Sequence, residues 1–228
     1  MSIYDKNIYI VVQSKYPEIL EGFKKTFIPT TSKFKNLKLC IENREEYGAG
    51  IINKRINDAR KLDAELFGVF NDDMWFAENW LESVLPYFVE KIYCISPGYV
   101  ETISKEKFDK AVEKTKDEAF YVQYLYGPNA IFRMDTFRKI GVFDERFDWT
   151  CDDLDWAWRF QLNKLNSITL KKITTAHWHG QTRVQDMKAW NVISTLNKNR
   201  FYKKHGYEAY RIIRQGYKDN HQYFKEFK

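Results

Sequence analysis

Two periods of apolar spacing alternate along the chain. "NIYIVVQS" (7–14) is a continuous apolar, β-branched run, the pattern of a strand covered on both faces. "YPEILEGFKKTF" follows with apolar residues at helical spacing and Pro17 near its start, where a missing N–H is harmless. "NLKLCIEN" (36–43) predicts a second strand that ends on Glu42 and Asn43. "GAGIINKRINDARKL" predicts a helix with Ile51, Ile52, Ile56, Ala59 and Leu62 on one face. "AELFGVF" predicts a third strand, "AENWLESVLPYFVEK" a helix ending or breaking near Pro86, and "IYCISPGYV" a fourth strand. Strand and helix in alternation predict an α/β fold on a mostly parallel sheet, and such sheets carry their chemistry at the carboxyl ends of the strands.

"SKEKFDKAVEKTKDE" (104–118) is charged and poor in large apolar residues, so it reads as a solvated helix or loop at the midpoint of the chain. "FYVQYLYGPNAIFRM" resumes an apolar, strand-rich pattern around a Gly-Pro turn. Asp135 is placed to cap a short helix, "TFRKIG", closed by Gly141. "TCDDLDWAWRFQLNKL" predicts a helix with Thr150 as N-cap and Asp153 three residues on, the spacing of a capping box. "SITLKKITTAH" is the last clear strand, and "DMKAWNVISTLNKNRFYKKHG" reads as one or two helices.

The 228 residues are 44% hydrophobic and 17% aromatic, enough for a sizeable core, which excludes a disordered chain. The net charge of +6 comes from scattered lysines, so no nucleic-acid partner is expected; an anionic small substrate or an acidic membrane face suits it equally. Cys40, Cys94 and Cys151 are odd in number and far apart, the usage of core thiols in a reducing compartment. The start of the chain lacks the features of a secretion signal, and no apolar run approaches the ~20 residues of a membrane span. A cytoplasmic protein is the expectation. The basic, aromatic tail "YRIIRQGYKDNHQYFKEFK" reads either as a surface helix or as a peripheral contact with anionic lipid.

Three clusters can carry chemistry. The third strand runs directly into Asn71, Asp72 and Asp73. Adjacent carboxylates repel unless a cation relieves them, so the alternatives are an ordinary turn or a divalent ion held by hard oxygen ligands. Asp152, Asp153 and Asp155 open the later helix; capping and the positive helix end account for part of that charge, and Arg159 stands at the i,i+4 spacing from Asp155. His177 and His179 sit two apart at a strand end, where both rings can serve one metal, a base and its partner, or neither.

The order of these clusters resembles glycosyltransferase family 2, the inverting GT-A enzymes that use nucleotide sugars. "CIEN" is similar to that family's second strand end, "YGAGIINKRINDA" to its glycine-to-asparagine helix, and "VFNDDMWFAENWL" to its D-x-D segment. "GPNAIFRMDTFRKIGVFDERF" resembles the acceptor-side pattern, "DDLDWAWR" the "EDxDLxxR" helix with the catalytic base, and "HWHG" the late histidine motif. The resemblance spans roughly residues 7–182. It implies a GT-A (Rossmann-like) domain over 1–228, with a nucleotide-sugar half (1–100), an acceptor and catalytic half (119–182) and C-terminal helices (183–228). It further implies Asp153 as base with Asp152 beside it, and donor contacts from Glu42, Asn53, Asn71 and Asp72. Asp73 with His177 or His179 is implied to hold Mn²⁺ or Mg²⁺, His177 being favoured. The donor implied is a nucleotide sugar, UDP-linked first, and the acceptor a glycan or a lipid-linked molecule. Asn71 stands where the first acid of D-x-D belongs, and Asp152 replaces a Glu. Arg133 is expected on the acceptor side, in structure or on phosphate, and Trp149, Trp156 and Trp158 either stack on sugar or fill the core. The competing readings are a metal-dependent phosphohydrolase and an inactive nucleotide-sugar-binding module.

Overall fold

A computed structural model describes residues 2–14, 16–43, 48–102, 104–122, 129–147, 150–178 and 187–225. The apolar run at the start forms β1 (Ile8–Ser14), buried along its whole length. β2 (Leu37–Asn43) and β3 (Leu66–Asn71) pair with it in parallel, one on each side. Helix α1 (Pro17–Thr31) links β1 to β2, with the proline in its first turn, and α2 (Ala49–Lys61) links β2 to β3. α2 buries Ile52, Ile56 and Ala59 as its periodicity requires, whereas Leu62 lies past the helix end and is exposed.

Beyond β3 come a short strand β4 (Met74–Phe76), a short helix α3 (Trp80–Val84) and a 3-10 turn carrying Pro86. β5 (Ile92–Glu101), α4 (Lys105–Lys114), β6 (Ala119–Tyr121), β7 (Asn129–Arg133) and α5 (Met134–Lys139) follow. The chain continues with α6 (Asp152–Leu162), β8 (Asn166–His177), α7 (Met187–His205) and α8 (Tyr207–Lys225). The sheet has the order β2-β1-β3-β7-β5-β8-β4, with β6 also on β8. β1, β2, β3, β5 and β8 run one way, so the sheet is mostly parallel; β7, β4 and β6 run against them. Hydrophobic periodicity carries no strand direction, so the insertion of β7 between β3 and β5 has no signature in the sequence.

Apolar side chains fill both faces. Under α1 and α3, Phe23, Phe27, Phe70, Phe76 and Trp80 interlock with ring centroids 4.8–5.8 Å apart. Under α2, α5 and α6, Phe132, Phe137, Phe143 and Trp156 do the same on the opposite face. α7 and α8 close a third cluster through Phe201, Ala209 and Ile213. Between β5 and β8 the backbones come so close at Gly98 that a Cβ there would stand 2.1 Å from the Lys172 carbonyl oxygen. The three cysteines are free thiols. Among the described residues, no helix is long and apolar enough to cross a membrane.

Candidate active site

The carboxyl ends of β1, β3 and β8 supply one cluster. β3 leads through Asn71 into a turn holding Asp72 and Asp73, and β4 then turns back to pair Met74 with His177 of β8. That hairpin-like return brings the first acidic cluster to the histidine, about a hundred residues on in the chain. Asp73 and His177 are each 5% exposed, and Asp73 Oδ1 lies 3.2 Å from His177 Nε2. The two atoms are close but not aligned as a hydrogen bond, and Asp73 Oδ1 receives no donor among the described residues. The Trp178 N–H donates to the Asp73 backbone carbonyl at 2.7 Å, fixing the segment. Asp72, 1% exposed, is oriented by the Ser14 hydroxyl, which donates to its Oδ2 at 2.8 Å.

This pair fits part of a divalent metal site. Adjacent ligands of an octahedral ion with bonds near 2.1 Å lie about 3 Å apart, and a buried acceptor without a donor is what such an ion would satisfy. Among the described residues no group of three His, Cys, Asp or Glu side chains forms a full cage. An ion here would therefore need oxygen from water and from a substrate phosphate, the usual arrangement for Mg²⁺. His179 lies outside the described residues.

The second cluster opens α6. Asp152 and Asp153 line a small recess with Ile52, Val69, Phe143 and Trp156. Val69 lies two residues before Asn71 on β3, so side chains alternating along the strand put both on the same side. The expected capping box does not form. Cys151 takes the N-cap position in a left-handed conformation (φ 67°) without a side-chain cap, while the Thr150 hydroxyl and carbonyl receive the Asn197 amide. Capping therefore does not account for Asp153, whose Oδ1 accepts the N–H of Leu154 at 2.8 Å. The Asp152 carboxyl is pushed up to about 7, mainly by burial against the apolar walls and then by the charge of Asp153. Burial also pushes the Cys151 thiol up to about 12, so it is inert near neutrality.

Asp155, three residues along the same helix from Asp152, is 0% exposed and wholly committed to structure. Its Oδ2 takes Arg159 Nε at 2.8 Å, the pairing its spacing predicted, and its Oδ1 takes Lys204 Nζ at 2.5 Å and His205 Nε2 at 2.7 Å. Arg159 also donates to the carbonyls of Ile140 and Val142, so the "GVFDE" loop, α6 and the end of α7 share one charged knot.

The remaining expected residues have other partners, and Arg133, paired with Leu66 at the start of β3, lies at the opposite end of the sheet. Glu42 closes β2 and is clasped by Arg55 Nε. Asn53 bridges α2 to the "GVFDE" loop, accepting from Phe143 N at 2.9 Å and donating to Phe143 O at 2.9 Å and Glu145 Oε1 at 3.0 Å. The Arg133 guanidinium is held by the carbonyls of Phe88, Val89 and Ile92, which makes it a structural clamp. Trp156 is core, Trp158 packs half-buried, and Trp149 lies outside the described residues.

No known family's sequence profile matches the chain. No curated protein sequence matches it either. Among solved structures it is similar to GalNAc-T7, crystallised with UDP, GalNAc and Mn²⁺, at 12% identity and a TM-score of 0.56 over 77% of this chain and 44% of that one. It is also similar to the catalytic domain of Drosophila β1,4-galactosyltransferase 7, in complex with xylobiose, at 13% identity and a TM-score of 0.54 over 78% of this chain and 73% of that one. The chain has the GT-A glycosyltransferase fold. It spans under half the length of the first of these neighbours. Within this GT-A sheet, sequence reasoning missed Ser14, whose place at a strand end resembles any turn serine until the parallel pairing sets β1 beside β3. It also missed β4, too short at three residues for a period to register.

Proposed function

We propose that this protein is an inverting glycosyltransferase of the family 2 kind, moving a hexosyl group from a UDP-sugar to a hydroxyl of a glycan or lipid-linked acceptor. One observation supports the reading: in a sheet of GT-A fold, the buried Asp73–His177 pair follows the carboxyl end of β3, and Asp152 and Asp153 line a recess with Val69 of that strand. The GalNAc-T7 neighbour was crystallised with UDP and Mn²⁺, which supports UDP and a divalent ion here; xylobiose in the other supports a glycan acceptor.

Asp73 and His177 would hold Mn²⁺ or Mg²⁺, which would supply positive charge against the departing diphosphate. Ser14 holds Asp72 in place, and Asp72 with Asn71 orients the donor. Glu42, with Arg55, serves the nucleoside end, and Asn53 acts through the "GVFDE" loop that it ties to α2. Asp153 accepts the proton of the acceptor hydroxyl as that oxygen bonds to the anomeric carbon and the bond to the diphosphate breaks. Attack from the face opposite the leaving group inverts the centre. Burial and the neighbouring Asp153 charge push the Asp152 carboxyl up to about 7, which favours its neutral form beside the base.

Incubation with UDP-, GDP- and dTDP-sugars plus Mn²⁺ tests this, with nucleoside diphosphate release and transfer to oligosaccharides as readouts. Asp153→Asn is expected to lose about 10²–10⁴ in turnover while donor affinity survives. Asp73→Ala is expected to weaken metal-dependent donor binding itself. Near-wild-type turnover in Asp153→Asn overturns the base assignment; release that never depends on an acceptor marks a hydrolase, and donor retained without release marks a binding module.

A further inference from the structure

We propose that Trp75 and Trp178 form a platform for a pyranose ring beside the Asp73–His177 pair, an inference that takes the diphosphate reading of that pair as its starting point. Trp75 stands two residues after Asp73 on β4, and Trp178 directly follows His177, its N–H bonded to the Asp73 carbonyl at 2.7 Å. Their ring centroids are 5.7 Å apart with the planes tilted by 39°. Both indoles are half-buried, whereas Trp80 and Trp156 are 0% and 1% exposed in the core. Apolar surface left in water next to buried charged groups is the mark of a binding surface. The platform is also seated against α1: Trp75 Nε1 lies 3.4 Å from where a Cβ on Gly22 would stand, an ordinary van der Waals contact.

A pyranose needs this combination. One face of the ring carries C–H groups of slight positive charge, which the electron-rich face of an indole attracts, while its hydroxyl rim seeks polar partners. Diphosphate at the Asp73–His177 pair and a sugar over the indoles would then be neighbours. The ring is either the hexose of the donor or a residue of the acceptor glycan.

Calorimetry on the full chain with Mn²⁺ separates these sources. UDP, UDP-galactose and UDP-N-acetylgalactosamine form the donor arm; xylobiose and methyl β-galactoside, added over UDP, form the acceptor arm. Trp178→Ala is expected to lower affinity for the pyranose-bearing ligands of one arm about tenfold. UDP affinity should stay within about twofold, and Trp178→Phe, which keeps a ring, should recover most of the loss. Trp75→Ala should act in the same arm, with circular dichroism and thermal unfolding confirming that each variant folds. Equal weakening of UDP and UDP-sugars makes the indoles a prop for the anion site and overturns the proposal, as does no change in either arm. Wild-type protein that binds the glycosides through Trp178 but not UDP keeps the platform and removes the donor reading; binding none of the panel removes both.

Discussion

Asp155 offers the most direct measurement of what holds α6 in place. Its carboxylate is 0% exposed and meets Arg159 at 2.8 Å, Lys204 at 2.5 Å and His205 at 2.7 Å. In Asp155→Asn the shape is kept and the charge removed. Lys204 retains Asp144 at 2.8 Å and a side chain 28% exposed, so its loss is largely made good by water. Arg159 is less fortunate. Its side chain is 16% exposed, burial draws its pKa down, and the Asp155 charge is the largest influence opposing that. Breaking a buried pair by removing one partner costs about 3–5 kcal/mol, and Arg159 keeps two carbonyl acceptors, so about 3 kcal/mol is expected. That corresponds to a fall in Tm of about 6–12 °C for a chain of this size, and to a urea midpoint lower by roughly 1 M if m is near 3 kcal/mol/M. The double variant Asp155→Asn with Arg159→Met should lose less than the sum of the two single changes, because the second removes the charge that the first orphans. A loss under about 1 kcal/mol in Asp155→Asn, or additivity within about 0.5 kcal/mol, would refute the knot as the anchor of α6.

Three further outcomes follow from the same geometry. Asp152 holds its proton to about pH 7 in the native state and to about 3.9 unfolded, so the native state binds more protons between those values and stability falls as pH rises through them. Asp152→Asn should therefore raise Tm relative to wild type at pH 8 and leave it nearly unchanged at pH 4; a pH-independent difference counts against the raised carboxyl. Gly98→Ala drives a methyl group to 2.1 Å from a backbone carbonyl that cannot rotate away, so β5 and β8 must part, with a loss of about 3 kcal/mol or more read as Tm. Asn53→Ala strands the buried N–H and C=O of Phe143 and is expected to cost about 2–3 kcal/mol in urea unfolding.

Much of this was legible in the chain because it is local. The five-residue apolar run that opens β1, the proline that opens α1 and the i,i+4 pair Asp155–Arg159 each follow from neighbours a few positions apart. What escaped depends on distance along the chain. His205 reaches Asp155 across fifty residues, and nothing near either one announces it. Strand β7 has an ordinary apolar pattern, and only its neighbours decide that it runs antiparallel. The capping box failed for a different reason: Cys151 adopts a left-handed conformation, which a propensity argument assigns to Gly or Asn before any other residue, and Thr150 is drawn off to Asn197.

The acids of this protein divide by the permanence of what balances them. Asp155 and Asp144 are matched by arginine and lysine, charges that never leave, and the bonds from Arg146 and Lys204 hold the Asp144 carboxyl far below the usual range. Asp152 is balanced by a proton it can give up near neutrality, and Asp73 has the His177 imidazole beside it at 3.2 Å. The permanent set ties α6 to α7 and the "GVFDE" loop; Asp73 follows the carboxyl end of β3, and Asp152 lines a recess with Val69 of that strand. A helix built only with permanent partners would be more stable and could neither accept a proton nor admit a cation. The ion pairs of Asp155, three residues along, anchor α6 while Asp152 contributes an acid whose ionisation costs stability as pH rises toward about 7.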